Sequence, residues 1–124
     1  MKINSFTELT VSQRSHELAL LVYTLTANFP RSESFGIVSQ MRRASTAVPA
    51  NIAQGFGRRT TGKLLRSLQI AAGEMEEVRY FLILSRDLNY VAAPRFEEAS
   101  QLCDSVGQLL NALGRSLKAR RMGK

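Results

Sequence analysis

The chain has 124 residues, with 17 Lys and Arg against 10 Asp and Glu, a net charge of +7 and an isoelectric point near 10.3. That length fits one domain able to bury a core of its own. A single cysteine, Cys103, excludes an intramolecular disulfide framework and a multi-cysteine zinc site, and no apolar run approaches the ~20 residues of a membrane span.

Residues 1–10 read as a short arm without the apolar core of a signal peptide, so a reducing, cytoplasmic setting is expected. Thr10 is placed to cap a first helix over about 11–28. Along it Val11, Ser15, Leu18, Val22, Leu25 and Phe29 recur at alternating 4-3 spacing, which puts them on one face. Pro30 ends that helix, because the residue before proline avoids the α region. Ser32 or Ser34 can cap the next.

Val38, Met41, Ser45, Val48 and Ile52 continue the pattern over about 35–54. Pro49 lies inside it and lacks an N–H, so a kink or local unwinding is expected there. The stripe keeps its register across the proline, which favours one helix over two short ones. Gly55 or Gly57 suits a left-handed cap, and Thr60 or Thr61 can start a third helix over about 61–88. Its stripe is Leu64, Leu68, Ala71, Met75, Val78, Leu82 and Ser85. The stretch Tyr80, Phe81, Leu82, Ile83, Leu84 is apolar on all sides. One bundle covers only one stripe of a helix, so Tyr80, Phe81, Ile83 and Leu84 are the expected contacts with a second copy. Pro94 fits the first turn of a fourth helix over about 95–118, where Phe96, Ala99, Cys103, Val106, Leu110, Leu113 and Leu117 keep the spacing. Residues 119–124 form a basic tail that is expected to fray. No period-two strand signal occurs. The reading is one all-α domain, an up-down-up-down four-helix bundle with left-handed packing.

Charge is unevenly spread. Arg42, Arg43, Arg58, Arg59, Lys63 and Arg66 fall in a stretch from Ser34 to Gly73 that has no acid, and no acid follows Arg115. Two cationic segments favour a polyanionic partner. Arg59, Lys63 and Arg66 share one helix face at i, i+4, i+7. With Arg42, Arg58, Lys118 and Arg121 they form the expected phosphate-contacting set. Arg43 is assigned instead to an ion pair with Glu77, and Asn51, among small apolar residues, to a structural role beside Pro49; the three are read as one structural polar cluster. The chemistry of catalysis is poorly represented: His16 is the one histidine and points off the apolar stripe, Glu74, Glu76 and Glu77 diverge around their helix, and Gly55-Phe-Gly-Arg-Arg59 lacks the lysine of a phosphate-binding loop. A non-enzyme without metal or cofactor is expected, and Cys103 on the apolar stripe is a core residue.

The run Gln40-Met-Arg-Arg-Ala44, then Val48-Pro49, Asn51-Ile-Ala-Gln-Gly55 and Gly57-Arg58, resembles the signature of the 23S rRNA-intervening-sequence proteins of bacteria. Tyr23-Thr-Leu-Thr26, Phe29-Pro30, Glu33, Ala71-Ala-Gly73 and Glu77 agree with it, and the likeness covers about residues 6–118. This chain has Gln54 where that family usually has Glu, Ala47 and Glu74 where it usually has Ser, and no aromatic near Ser12. The resemblance implies a four-helix bundle assembled as a homopentameric ring. It also implies kinship with the accessory proteins of diversity-generating retroelements, which bind nucleic acid and a reverse transcriptase. Two functions stay open at this point: an RNA- or DNA-binding homo-oligomer, and a scaffold for an acidic protein partner.

Overall fold

The 4-3 spacing of apolar residues folds into four helices: α1 (Thr10–Thr26), α2 (Ile37–Phe56), α3 (Thr61–Asp87) and α4 (Ala93–Met122). The computed structural model describes residues 5–58 and 60–122. No strand occurs among them. Each helix packs against its neighbours in sequence, and α4 closes against α1. Neighbours run antiparallel: early α2 meets late α3 through Arg43 and Glu77, while late α2 meets early α3 through Gly55 and Ser67. Arg79 and Asp104 link the middles of α3 and α4.

Nearly every stripe residue goes inside. Leu18, Val22, Met41, Val48, Ile52, Met75, Val78, Leu82 and Val106 are essentially inaccessible. Each such side chain contributes roughly 1.5–3 kcal/mol relative to exposure. Where the stripe met two adjacent apolar residues, packing chose between them: Ile37 and Leu65 are buried, whereas Val38 and Leu64 are only half-buried.

The helix ends depart from expectation in informative ways. Thr10 opens α1 but does not cap it; Leu9 holds that position without a side-chain bond. Ahead of it, Phe6–Glu8 form a 3₁₀ turn whose cap, Ser5, accepts from the Thr7 N–H. Ser32 and Ser34 cap nothing: Arg31–Glu33 form a second 3₁₀ turn, and α2 begins after Gly36. Thr60 does cap α3, its hydroxyl accepting from the Lys63 N–H at 3.2 Å. α2 is one helix with Pro49 inside, so the unwinding expected there does not occur. Asn51 donates to the Ala47 carbonyl at 2.8 Å, one turn along the same helix.

Neither Gly55 nor Gly57 is left-handed; among the described residues the one positive φ outside glycine is Asn89, at 64°. There Tyr90 N–H reaches the Ser85 carbonyl at 2.8 Å and Asn89 N–H the Arg86 carbonyl at 2.9 Å. This pair of bonds closes α3 in a Schellman motif. α4 continues to Met122, so residues 119–122 of the tail are helical; Lys, Ala and Arg are good helix formers, and Leu117 anchors that turn in the core. Lys124 lies outside the described residues.

Candidate functional site

The acids of the bundle are mostly occupied. Arg14 holds Glu17, Arg86 holds Asp87, Arg95 holds Glu98, and Arg79 bridges Glu76 and Asp104. Arg43 holds Glu77 and also Glu74, its Nη1 lying 3.1 Å from the Glu74 carboxylate. Glu74 was not foreseen as a partner. It and Glu77 stand three apart on α3, so both reach the side facing α2. All of these pairs are solvent-facing, and each contributes on the order of 0–1 kcal/mol. Asn51 does not join Arg43 and Glu77: its side chain serves its own helix.

Arg42 is drawn away from the phosphate-contacting set. Its Nε donates to Thr26 Oγ1 at 2.9 Å, its Nη2 faces the Tyr23 carbonyl at 3.4 Å, and its guanidinium lies 4.4 Å from the centre of the Tyr23 ring. The last turn of α1 presents the negative end of a helix dipole at this height, and the cation goes there, facing the Tyr23 carbonyl that already accepts from the Ala27 N–H at 3.2 Å.

The remaining bases behave differently. Arg31, between α1 and α2 at the opposite end, is exposed without an ion pair among the described residues. Arg58, Lys63, Arg66, Arg115, Lys118, Arg120 and Arg121 are likewise exposed and make no ion pair among the described residues. Antiparallel packing gathers them at one end of the bundle, where α2 ends, α3 begins and α4 ends. Three of them converge: Arg66 on α3 and Lys118 and Arg121 on α4 line one open cleft with Gly62 and Gln69. Gly62 leaves room for the Arg121 guanidinium, which lies about 3.5 Å from where a β-carbon on residue 62 would stand. Lys63 and Arg58 are exposed nearby but do not line this cleft. Arg59 lies outside the described residues.

Next to the cleft, and sharing Leu65, Gln69 and Lys118 with it, is a second cavity bordered by Asn111, Gly114 and Arg115. Gln69 and Asn111 were not singled out from sequence. They flank the apolar stripes on α3 and α4 and carry no charge, so only the packing of the two helices brings them to one place.

Of the run Tyr80 to Leu84, Leu82 is buried and Phe81 and Leu84 pack against the core of their own chain. Tyr80 (57% exposed) and Ile83 (42%) remain outside, with the Tyr80 and Phe81 rings tilted against each other at 5.8 Å. The second buried face expected for this run therefore narrows to those two residues. Tyr90 is not free to stack on a base: its ring packs on Phe29 at 5.2 Å and its hydroxyl donates to Glu33 at 2.8 Å. That hydrogen bond, with some desolvation, raises the Tyr90 pKa above its ordinary value.

Cys103 is buried, and burial pushes its thiol up to about 12 despite the nearby Arg79 guanidinium. It is a neutral core thiol rather than a nucleophile. Among the described residues no three His, Cys, Asp or Glu side chains gather as a metal site. No helix among them is long and apolar enough to cross a membrane.

Comparison with known proteins bears on the whole of this arrangement. No curated protein matches the chain. A crystal structure from Bacteroides thetaiotaomicron, described as a protein with unknown function from the S23 ribosomal protein family, shares the fold with a TM-score of 0.77. At 23% identity the superposition covers 85% of this chain and 95% of that one. Residues 7–112, which hold all four helices up to the basic end of α4, match the family described as 23S rRNA-intervening sequence protein, and the chain belongs to that family.

Proposed function

We propose that the protein is a non-enzymatic, RNA-binding homo-oligomer that grips phosphates with the basic end of each bundle. The observation that carries this reading is the sorting of charge: Arg43 and Arg79 are matched by acids, whereas Arg66, Lys118 and Arg121, around one cleft, make no ion pair among the described residues. Cations left without partners in a protein otherwise rich in ion pairs raise the local potential and attract polyanions. Contacts of this kind are independent of sequence and steeply dependent on salt.

Association of copies multiplies the effect. Tyr80 and Ile83 stand outward on α3, and covering them with a neighbouring chain would present several basic ends together, raising avidity without any new contact in one protomer. The ring, a pentamer by family resemblance, is the assembly proposed.

The test is binding of a fluorescent single-stranded RNA across a salt series. For single strands the logarithmic slope is about −0.7 per phosphate contacted, so three contacts per protomer give a slope near −2 or steeper. The double variant Arg66→Glu, Arg121→Glu should flatten that slope and weaken binding at least tenfold. Wild-type retention of RNA by this variant would remove the reading. Capture of an acidic protein that survives nuclease treatment would favour a scaffold instead.

A further inference from the structure

The cavity beside the basic cleft has a different chemistry from the cleft itself. Its floor is apolar, made by Leu65, Leu68 and Leu110. Two side-chain amides border it from opposite helices, Gln69 on α3 and Asn111 on α4. Gly114 opens its wall: a β-carbon there would meet nothing within 4 Å. The volume is about 180 Å³, and an apolar cavity of about 150 Å³ takes one six-membered ring. Leu65, Gln69 and Lys118 line both this cavity and the adjoining cleft, so the two share a wall.

A partly open, largely apolar pocket of ring-sized volume, bordered by amides and adjoining a cleft lined by three cations, suits a nucleobase with its neighbouring phosphate. We infer that this slot takes one unstacked, single-ring base of a single strand, whose adjacent phosphate lies on Arg66, Lys118 and Arg121. The inference rests on the proposed RNA-binding function and deepens it by naming what the basic end prefers. The apolar floor replaces the stacking that the base loses, and Arg115, which also lines the pocket, adds a cation there. Gln69 and Asn111 each present a donor and an acceptor, which is what the hydrogen-bonding edge of a pyrimidine requires. A duplex cannot enter, because its bases are paired and stacked; it can only touch the cations.

The experiment compares oligouridylate, oligoadenylate and a duplex of equal length by fluorescence anisotropy at one salt concentration. Gly114→Leu fills the slot from α4 and leaves the cations in place. Gln69→Ala with Asn111→Ala removes the amides from exposed positions, so it serves if the leucine disturbs packing. Thermal melts confirm that both are folded. The expected result is a loss of about tenfold for oligouridylate, the scale of one base's contacts, with duplex binding unchanged. Uridine monophosphate should compete only at concentrations far above those of the strand; competition at equal concentrations would assign the slot to a free nucleotide and overturn the single-strand inference. Equal binding of uridylate by wild type and both variants would also overturn it, leaving the electrostatic reading intact. Only loss of binding dependence on Arg66 and Arg121 would sink that reading itself.

Discussion

Gly55 on α2 lies so close to Ser67 on α3 that a β-carbon added to the glycine would stand 2.8 Å from the serine Cβ and 2.9 Å from Leu64 Cδ1. Real contacts of this kind do not occur, so the two helices pass at glycine–serine distance because neither residue is larger. Gly55→Ala is expected to lower stability by about 1–3 kcal/mol, the cost of overpacking, even though alanine is the better helix former. The control is Gly114→Ala, where a β-carbon meets open space; there the propensity gain of up to ~1 kcal/mol should appear. Chemical denaturation of both variants gives the comparison. A Gly55→Ala protein at least as stable as wild type would show that the helices can part without cost.

Ser12 tests the opposite case, a polar group with too few partners. It is 6% exposed, and its Oγ is buried with no hydrogen-bond partner among the described residues. A buried unsatisfied hydroxyl costs about 1–3 kcal/mol. Ser12→Ala removes it and leaves nearly the same shape, so the variant should be as stable as wild type or more stable by up to about 1 kcal/mol. A loss larger than that in the midpoint of urea unfolding would mean the hydroxyl has a partner after all.

The Cys103 thiol gives a prediction with a definite sign. Its ordinary value of 9.0 moves to about 12 in the folded chain. Below 9 both folded and unfolded states keep the proton, and the group has no effect on how stability varies with pH. Between 9 and 12 the unfolded thiol ionises while the folded one stays neutral, so unfolding is favoured as pH rises. The slope contributed is at most about 1.4 kcal/mol per pH unit. Cys103→Ser should fall less steeply than wild type over that window. Alkylation of native protein at pH 8 should be slow and become fast only in denaturant; rapid modification of the native thiol would contradict its burial.

Much of the fold was legible because burial follows one period. Val11, Ser15, Leu18, Val22, Leu25 and Phe29 were placed on one face by spacing alone, and all six are buried. Even the three serines of the stripes, Ser15, Ser45 and Ser85, are inside, because each hydroxyl bonds a carbonyl of its own helix. Caps were harder. A hydroxyl at residue 10, 32 or 34 is able to cap by its type, yet none of the three does, because the 3₁₀ turns before α1 and α2 put Leu9 and Gly36 at the cap positions. Glycine was read as a left-handed cap at Gly55, where the structure uses its lack of a β-carbon for close approach instead; the left-handed position fell to Asn89. At the candidate site, charge is legible and so is the Arg43–Glu77 pair, whereas the second carboxylate, Glu74, and the tethering of Arg42 are not. Arg42 and Arg43 look alike in sequence, yet one is held by the end of α1 and the other by two carboxylates of α3. Gln69 and Asn111 carry no charge pattern or period that would bring them together, since their proximity depends on the mutual register of α3 and α4.

Tyr80 and Ile83 decide whether one bundle is the whole functional unit. They stand three apart on α3, so they share a face, and both are largely exposed while Leu82 between them is buried. Large apolar side chains paired this way on a helix exterior are worth covering: each is already about half-buried, so covering the rest would gain roughly 1 kcal/mol apiece. Tyr80→Asp with Ile83→Asp places two charges on that face without touching the core. If copies associate there, the double variant should elute and scatter light as a monomer while keeping its helical circular dichroism. RNA affinity should then fall more than tenfold although every base at the basic end is intact, because the contribution from joined copies is lost. A wild-type protein that is itself monomeric at working concentrations would leave Tyr80 and Ile83 as ordinary exposed residues, and the proposal of a ring would fall with it.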